Sequence, residues 1–186
     1  MKIMVTGHRK LIPLGHQGSP YPENNHEVAL WQHKLFHLVY NYVKYYAIDG
    51  MACNNITEFI TGMAIGADQM FCQAVIKLSD ERLQYILTAA IPFAGQESRW
   101  PPAAKNLYAF LLNRCHKQVC VSEGGYASWK MQKRNEWMVD NSQRVLAIWN
   151  GLQKGGTWNC INYALKKGLK IDCINSETLV CSIINS

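Results

Sequence analysis

The chain has 186 residues, 48% of them hydrophobic and 17% charged, with a formal net charge of +6. That length suits one domain spanning 1–186 with a full core, and the composition excludes a disordered chain. Lysine and arginine are scattered and never form a run of about five or six, so the charge suits a small anion as well as it suits nucleic acid.

Lys2 to Arg9, KIMVTGHR, reads as an apolar strand ending in Thr6, Gly7, His8 and Arg9. Arg9 follows a glycine at a strand end, where a guanidinium can clamp a phosphate or pair with a surface acid. His8 beside it can donate to a ligand or serve a structural role. Lys10 to Asn25, with Pro13, Gly15, Gly18, Pro20 and Pro22, reads as a long irregular loop. From His26 to about Ile48, apolar residues recur every three or four positions and predict a long amphipathic helix, whose aromatics suit the core or a dimer surface.

Thr57 to Asp68, TEFITGMAIGAD, is again a strand, then Gly62, Met63 and Gly66, then a helix from Asp68 to Leu78. Asp68 is placed to cap that helix or to bind a ribose hydroxyl. The glycines do not fit G-x-G-x-x-G, so the dinucleotide fingerprint is absent and no nicotinamide cofactor is expected. A strand at Tyr85–Ile91 stops at Pro92 and Phe93, which with Met63 join the candidate ligand residues at the strand ends. A helix through Leu107 and Leu111, a short strand at Gln118–Val121 and a helix at Trp129–Asn141 follow. On that last helix Arg134, Met138 and Asn141 share a face.

Arg144 to Thr157, RVLAIWNGLQKGGT, carries the strongest signal: a buried strand, a glycine-rich loop and a helix start. Gly151, Gly155 and Gly156 permit tight turns and close approach, and the helix's first N–H groups would face an anion. Thr157 and Asn159 can offer a hydroxyl and an amide to a phosphate or base, or simply start the helix. A final strand is expected at Lys170–Ile174. About six strands alternating with helices predict an α/β, Rossmann-like, mostly parallel sheet, whose ligands gather at the carboxyl ends of the strands.

Seven cysteines, odd in number and without a C-x-x-C pair, argue against a zinc ribbon or a complete disulfide framework, and no metal site is expected. No apolar leader and no run of about 18 apolar residues is present, so a cytoplasmic protein without membrane association is expected.

TGHR at 6–9, GMAIGAD at 62–68, IPF at 91–93 with Gln96 and Trp100, RNEWMVDNS at 134–142 and WNGLQKGGTWNCINYA at 149–164 resemble, in order, the YpsA-like branch of the SLOG superfamily. The resemblance implies a Rossmann-like fold and a nucleotide or nucleotide-derived ligand. It places the chain as a sensor or sequestering protein, with cyclic nucleotides and ADP-ribose derivatives as candidate ligands in bacterial defence or phage counter-defence. It also implies self-association.

The superfamily includes the Lonely Guy phosphoribohydrolases, which suggests a second function, cleavage of a nucleoside 5′-monophosphate. It also includes DprA, which suggests a third, single-stranded DNA binding. In the hydrolases an arginine precedes a glycine-rich loop, and a glutamate follows three residues after its threonine. Arg134 and Gly155, Gly156 and Thr157 match the first two features. The third position is Cys160, so the glutamate is missing. Under the hydrolase reading Glu136 or Asp140 supplies the carboxylate that such chemistry needs.

Overall fold

The computed structural model describes residues 1–13 and 26–184, so most of the expected loop at 10–25 lies outside the described residues. In chain order the elements are β1 (Lys2–Gly7), α1 (His26–Ala52), β2 (Thr57–Thr61), α2 (Ala67–Lys77), β3 (Tyr85–Ile91), α3 (Pro102–Leu112), β4 (Lys117–Cys120), α4 (Ser128–Asp140), β5 (Arg144–Ile148), α5 (Gly155–Lys166), β6 (Lys170–Ile174) and β7 (Cys181–Ile184). A 3₁₀ turn at Leu78–Glu81 follows α2. The strands form one sheet in the order β4-β3-β2-β1-β5-β6-β7.

The alternation of side chains along a strand sorts the core into two layers. Ile3, Val5, Phe59, Leu146 and Ile148 pack with residues of α1, α2 and α3. Met4, Ile60, Val145 and Ala147 face the other way, with Met138 of α4 and Ile161 of α5. Both faces are therefore apolar, which is why β1 and β5 read as continuous hydrophobic runs. Fully burying each of the larger side chains contributes about 1.5–3 kcal/mol, so these central strands anchor whatever extends from their ends.

Six strands run parallel, and β7 joins β6 antiparallel, with Asp172 opposite Ile183. The sequence reading of about six strands therefore falls one short. Asn175 Oδ1 accepts from the Glu177 and Thr178 N–H groups at 2.9 and 3.0 Å, turning the chain back on itself. Three of the four β7 residues are exposed, so neither length nor alternation marked it as a strand. The helix α1 runs one turn further than expected, to Ala52, with Ala47 and Gly50 still buried.

From β1 the chain steps outward through β2 and β3 to β4, then returns along α4 to place β5 on the opposite side of β1. The switch point of the sheet thus lies between β1 and β5, which pair in parallel from Ile3↔Arg144 to Gly7↔Ile148. Loops leaving two such neighbours diverge to opposite faces and leave a crevice between them.

One buried carboxylate lies well away from that crevice. Glu58 accepts from the Thr88 hydroxyl at 2.6 Å and from Lys117 Nζ at 3.3 Å, with Lys2 Nζ at 3.5 Å. Burial alone would raise its pKa, but the Thr88 hydrogen bond and the two lysines outweigh it and hold the carboxyl below its ordinary value. Because the folded pKa is depressed, the stabilisation is present above the unfolded value of about 4.3 and is lost as pH falls through the folded one. Glu58→Gln should therefore lower unfolding free energy by about 0.5–1.5 kcal/mol at pH 7, since solvent screens the two half-exposed lysines, and chemical denaturation should show the deficit shrinking below about pH 4.

Candidate functional site

A cavity of about 280 Å³ opens at the switch point. Val5, Thr6, Gly7, His8 and Arg9 line it from the end of β1, Ala64 and Asp68 from the start of α2. Met131, Arg134 and Asn135 face it from α4, and Gly156 and Thr157 from the first turn of α5. The three loops that the sequence marked as candidates therefore meet at one place, joined by the middle of α4.

The first turn of α5 carries no side-chain cap, and its N-cap residue, Lys154, is extended. The loop before it is held from behind. Trp149 Nε1 donates to the Leu152 carbonyl at 3.0 Å, and the Trp149 ring stacks on Trp158 with centroids 5.6 Å apart. Uncapped N–H groups on a fixed helix start favour an anion.

Arg134 is 6% exposed, yet among the described residues its one polar side-chain contact is a 3.4 Å approach of Nη1 to Asp68 Oδ2, and its Nε has no partner there. A guanidinium has five donors, so this one is buried with most of its capacity unused among the described residues. Asp68 Oδ2 also accepts from the Ala64 N–H at 3.2 Å. Burial pushes the Asp68 carboxyl above its usual value, while Arg134, the Ala64 N–H and the more distant Arg9 act against that shift.

Two glycines make the arrangement possible. A Cβ on Gly62 would overlap the Arg134 guanidinium and lie 2.7 Å from Asp68 Oδ2, so the absent side chain is the slot that receives the arginine. Gly66, at φ +94°, would drive a Cβ into the carbonyl oxygens of His8 and Arg9. The Ala67 N–H donates to that His8 carbonyl at 3.1 Å, which seats α2 on the end of β1. His8 Nε2–H in turn donates to Asn150 Oδ1 at 2.9 Å, and Asn150 Nδ2 donates to Glu177 Oε1 at 3.0 Å.

Of the expected ligand residues, Gly7, His8, Arg9, Asp68, Arg134, Gly156 and Thr157 line the cavity, and Gly62 and Gly66 shape it from behind. Others lie elsewhere. Met63, at φ +60°, is fully buried in the core. Pro92 is buried, and Phe93 lines a neighbouring cavity. Gly151 and Gly155 adopt positive φ with open space beside them and serve the turn. Asn159 is exposed on α5, two residues and so about 200° round the helix from Thr157. Asn141 closes the far end of α4, where its Nδ2 donates to the Trp137 carbonyl.

The two candidate catalytic carboxylates do not line this cavity either. Glu136 accepts from Gln132 Nε2 on its own helix. Asp140 accepts from the Tyr163 hydroxyl and pairs with Lys167 Nζ at 2.9 Å, beside the C-terminal end of α5. Cys160 is 1% exposed, and burial pushes its thiol up to about 11 against the pull of the Thr6 hydroxyl and the Arg134 charge. Asp68 is also not a cap, since it sits in the second position of α2 and the helix start has no side-chain cap. Sequence reading missed Met131, Asn135 and Asn150. Met131 was accessible to it, three residues before Arg134 and hence on the same face.

A family model described as the YspA SLOG family matches residues 24–179. The chain belongs to that family. Among its relatives, an uncharacterized SPbeta prophage-derived protein, YoqJ of Bacillus subtilis, is 37% identical over 123 residues, covering 60% of this chain and 71% of that protein. A UPF0398 protein of Shouchella clausii is 28% identical over 102 residues, covering 53% of this chain and 54% of its own length.

Two solved structures share the fold. DNA processing protein A (DprA) of Streptococcus pneumoniae matches with a TM-score of 0.56 at 17% identity, over 96% of this chain and 51% of that one. DprA of Helicobacter pylori, described for its single-stranded DNA binding mode, matches with a TM-score of 0.58 at 15% identity, over 93% and 64%. The SLOG chain thus spans about half of the pneumococcal protein and somewhat more of the other.

Gly62→Ala should destabilise the SLOG chain by about 1–3 kcal/mol, the usual cost of overpacking a filled site. Combining it with Arg134→Ala, which empties the slot, should recover much of that loss. Denaturant titration of the two single variants and the double variant would check this, with additive losses counting against the slot.

Proposed function

We propose that the protein binds a nucleotide or nucleotide-derived ligand through a phosphate held at the switch-point cavity, and acts as a sensor or sequestering protein. The observation that carries this is Arg134: a buried guanidinium whose Nε has no partner among the described residues, in a cavity that the uncapped start of α5 also lines. A phosphate there would accept from both, since paired guanidinium donors and helix-start amides match its oxygens. Arg9 adds a second positive charge at the rim. A prophage-derived relative suits a role at the boundary of host defence and phage counter-defence in a bacterial cytoplasm.

Hydrolysis of a nucleoside monophosphate is the weaker reading. The cavity's carboxylate is Asp68, and its Oδ2 is engaged by Arg134 and by the Ala64 N–H. Such a group suits holding the arginine rather than facing an oxocarbenium ion. Single-stranded DNA binding is favoured by the shared fold with DprA and by Trp129, which is 57% exposed with Lys133 Nζ 5.7 Å from its ring centroid. Salt separates the two binding modes, because displacing counterions from several phosphates gives a steep dependence that one bound phosphate does not.

Arg134→Gln should cost about 2–5 kcal/mol of binding, roughly 30-fold or more, when inorganic phosphate and nucleoside monophosphates are titrated by calorimetry. Unchanged affinity in a folded variant would overturn the reading. We also propose self-association through the outward face of α1, where Leu30, Tyr45 and Ile48 are 47%, 62% and 47% exposed. Light scattering should then report a species larger than the monomer, and a monomer at every concentration would end that expectation.

A further inference from the structure

A second cavity, of about 420 Å³, adjoins the first and shares Arg9 and Met131 with it. Its walls are of a different kind: Phe93, Trp100 and Tyr126 with Gln96 and Arg99. These include the part of the sequence pattern around IPF, Gln96 and Trp100 that the phosphate cavity leaves unused. We infer that this second cavity is a nucleobase subsite, so that one ligand sets its phosphate against Arg134 and the start of α5 and its base among Phe93, Trp100 and Tyr126. The inference rests on the phosphate reading above and adds a chemical class to it: a flat, aromatic ring carrying a hydrogen-bond acceptor.

Three features of the walls support a planar ring. The first is their aromatic geometry, in which each ring is already held by another. The Phe93 and Tyr126 rings meet edge to face at 5.8 Å and 84°, and Trp100 meets Tyr108 at 5.5 Å and 84°. Edge-to-face pairs leave ring faces open for a third ring to stack.

The second feature is Tyr126 itself, 64% exposed yet in contact with both Phe93 and Arg99. Arg99 lies 5.6 Å from its ring centroid. The loop that carries it is strapped by Lys130, whose Nζ donates to the Glu123 and Gly125 carbonyls at 2.5 and 2.6 Å while that side chain stays 7% exposed. A large exposed aromatic on a tied-down loop offers a stacking surface that loses little freedom on binding.

The third is Gln96. It lines the cavity at 6% exposure, and among the described residues its Nε2 has no hydrogen-bond partner. Burial raises the pKa of the Tyr108 phenol, and the Gln96 amide nearby opposes that shift. A buried donor without a partner disfavours the empty site and rewards a ligand that brings an acceptor. Exocyclic carbonyl oxygens and ring nitrogens of nucleobases are such acceptors. Arg9, common to both cavities, sits where the sugar would join the two halves.

The test compares inorganic phosphate, ribose 5-phosphate and the four ribonucleoside monophosphates on the full chain by calorimetry. At least one nucleoside monophosphate should bind about tenfold or more tightly than ribose 5-phosphate, the scale of stacking one base on aromatic side chains. Tyr126→Ala should erase that advantage while leaving the affinity for inorganic phosphate and the circular dichroism spectrum unchanged. Gln96→Leu should narrow the spread among the four bases.

If phosphate and ribose 5-phosphate bind but no base adds affinity, or if Tyr126→Ala leaves nucleotide binding untouched, the base subsite is wrong and the phosphate site stands. If no phosphate compound binds the wild-type chain, both fall together.

Discussion

The structure turns on a buried guanidinium that its own protein leaves incompletely paired. Arg134 reaches from α4 across the end of β1 into the space that Gly62 vacates, and there it meets a single carboxylate at 3.4 Å. Removing a charge from water costs several kcal/mol even in relaxed protein interiors, and one long contact does not restore that. The surrounding fold accounts for how the position is tolerated. The loop from β2 to α2 supplies Asp68 and, through Gly66, packs backbone to backbone on His8 and Arg9. The β1–β5 pairing holds the opposite wall in place. Four separated stretches of chain therefore line the cavity that holds this one side chain.

That convergence explains the division of labour among the glycines better than a single glycine-rich loop would. Gly62 provides room, Gly66 provides contact between two backbones, and Gly155 provides the turn into α5, while Gly156 stands at the cavity wall. The fold shared with DprA is of the same open α/β kind, in which ligands as a rule gather at the carboxyl ends of the strands.

The parts of the fold legible in the sequence are those fixed by local periodicity. The buried strands β1, β2, β3 and β5, the helix α5 and the loop before it follow from apolar runs and glycine placement, and β1 and β5 hold the cavity between them. What escaped depends on position in space. Glu136 and Asp140 are close to Arg134 in sequence, but two residues turn the helix by about 200°, and six carry it about 9 Å down its axis. Neither residue therefore shares the cavity. Gly62 was legible as a turn residue but not as a slot, because its neighbour there comes from 72 positions later in the chain. The strand β7 escaped because its pairing depends on the turn at Asn175 and not on its own pattern.

Asp68 gives the cavity a further property. Burial already holds its carboxyl above the ordinary range, and Arg134 is the nearest charge opposing that shift. An anion seated on Arg134 would draw part of that opposition away and add negative charge of its own, and both effects favour the protonated acid. Ligand capture and proton capture would then be thermodynamically linked. Complex formation would take up a fraction of a proton from the buffer, the heat of binding would change with the buffer's ionisation enthalpy, and the cleft would hold an anion more tightly as the solution became more acidic.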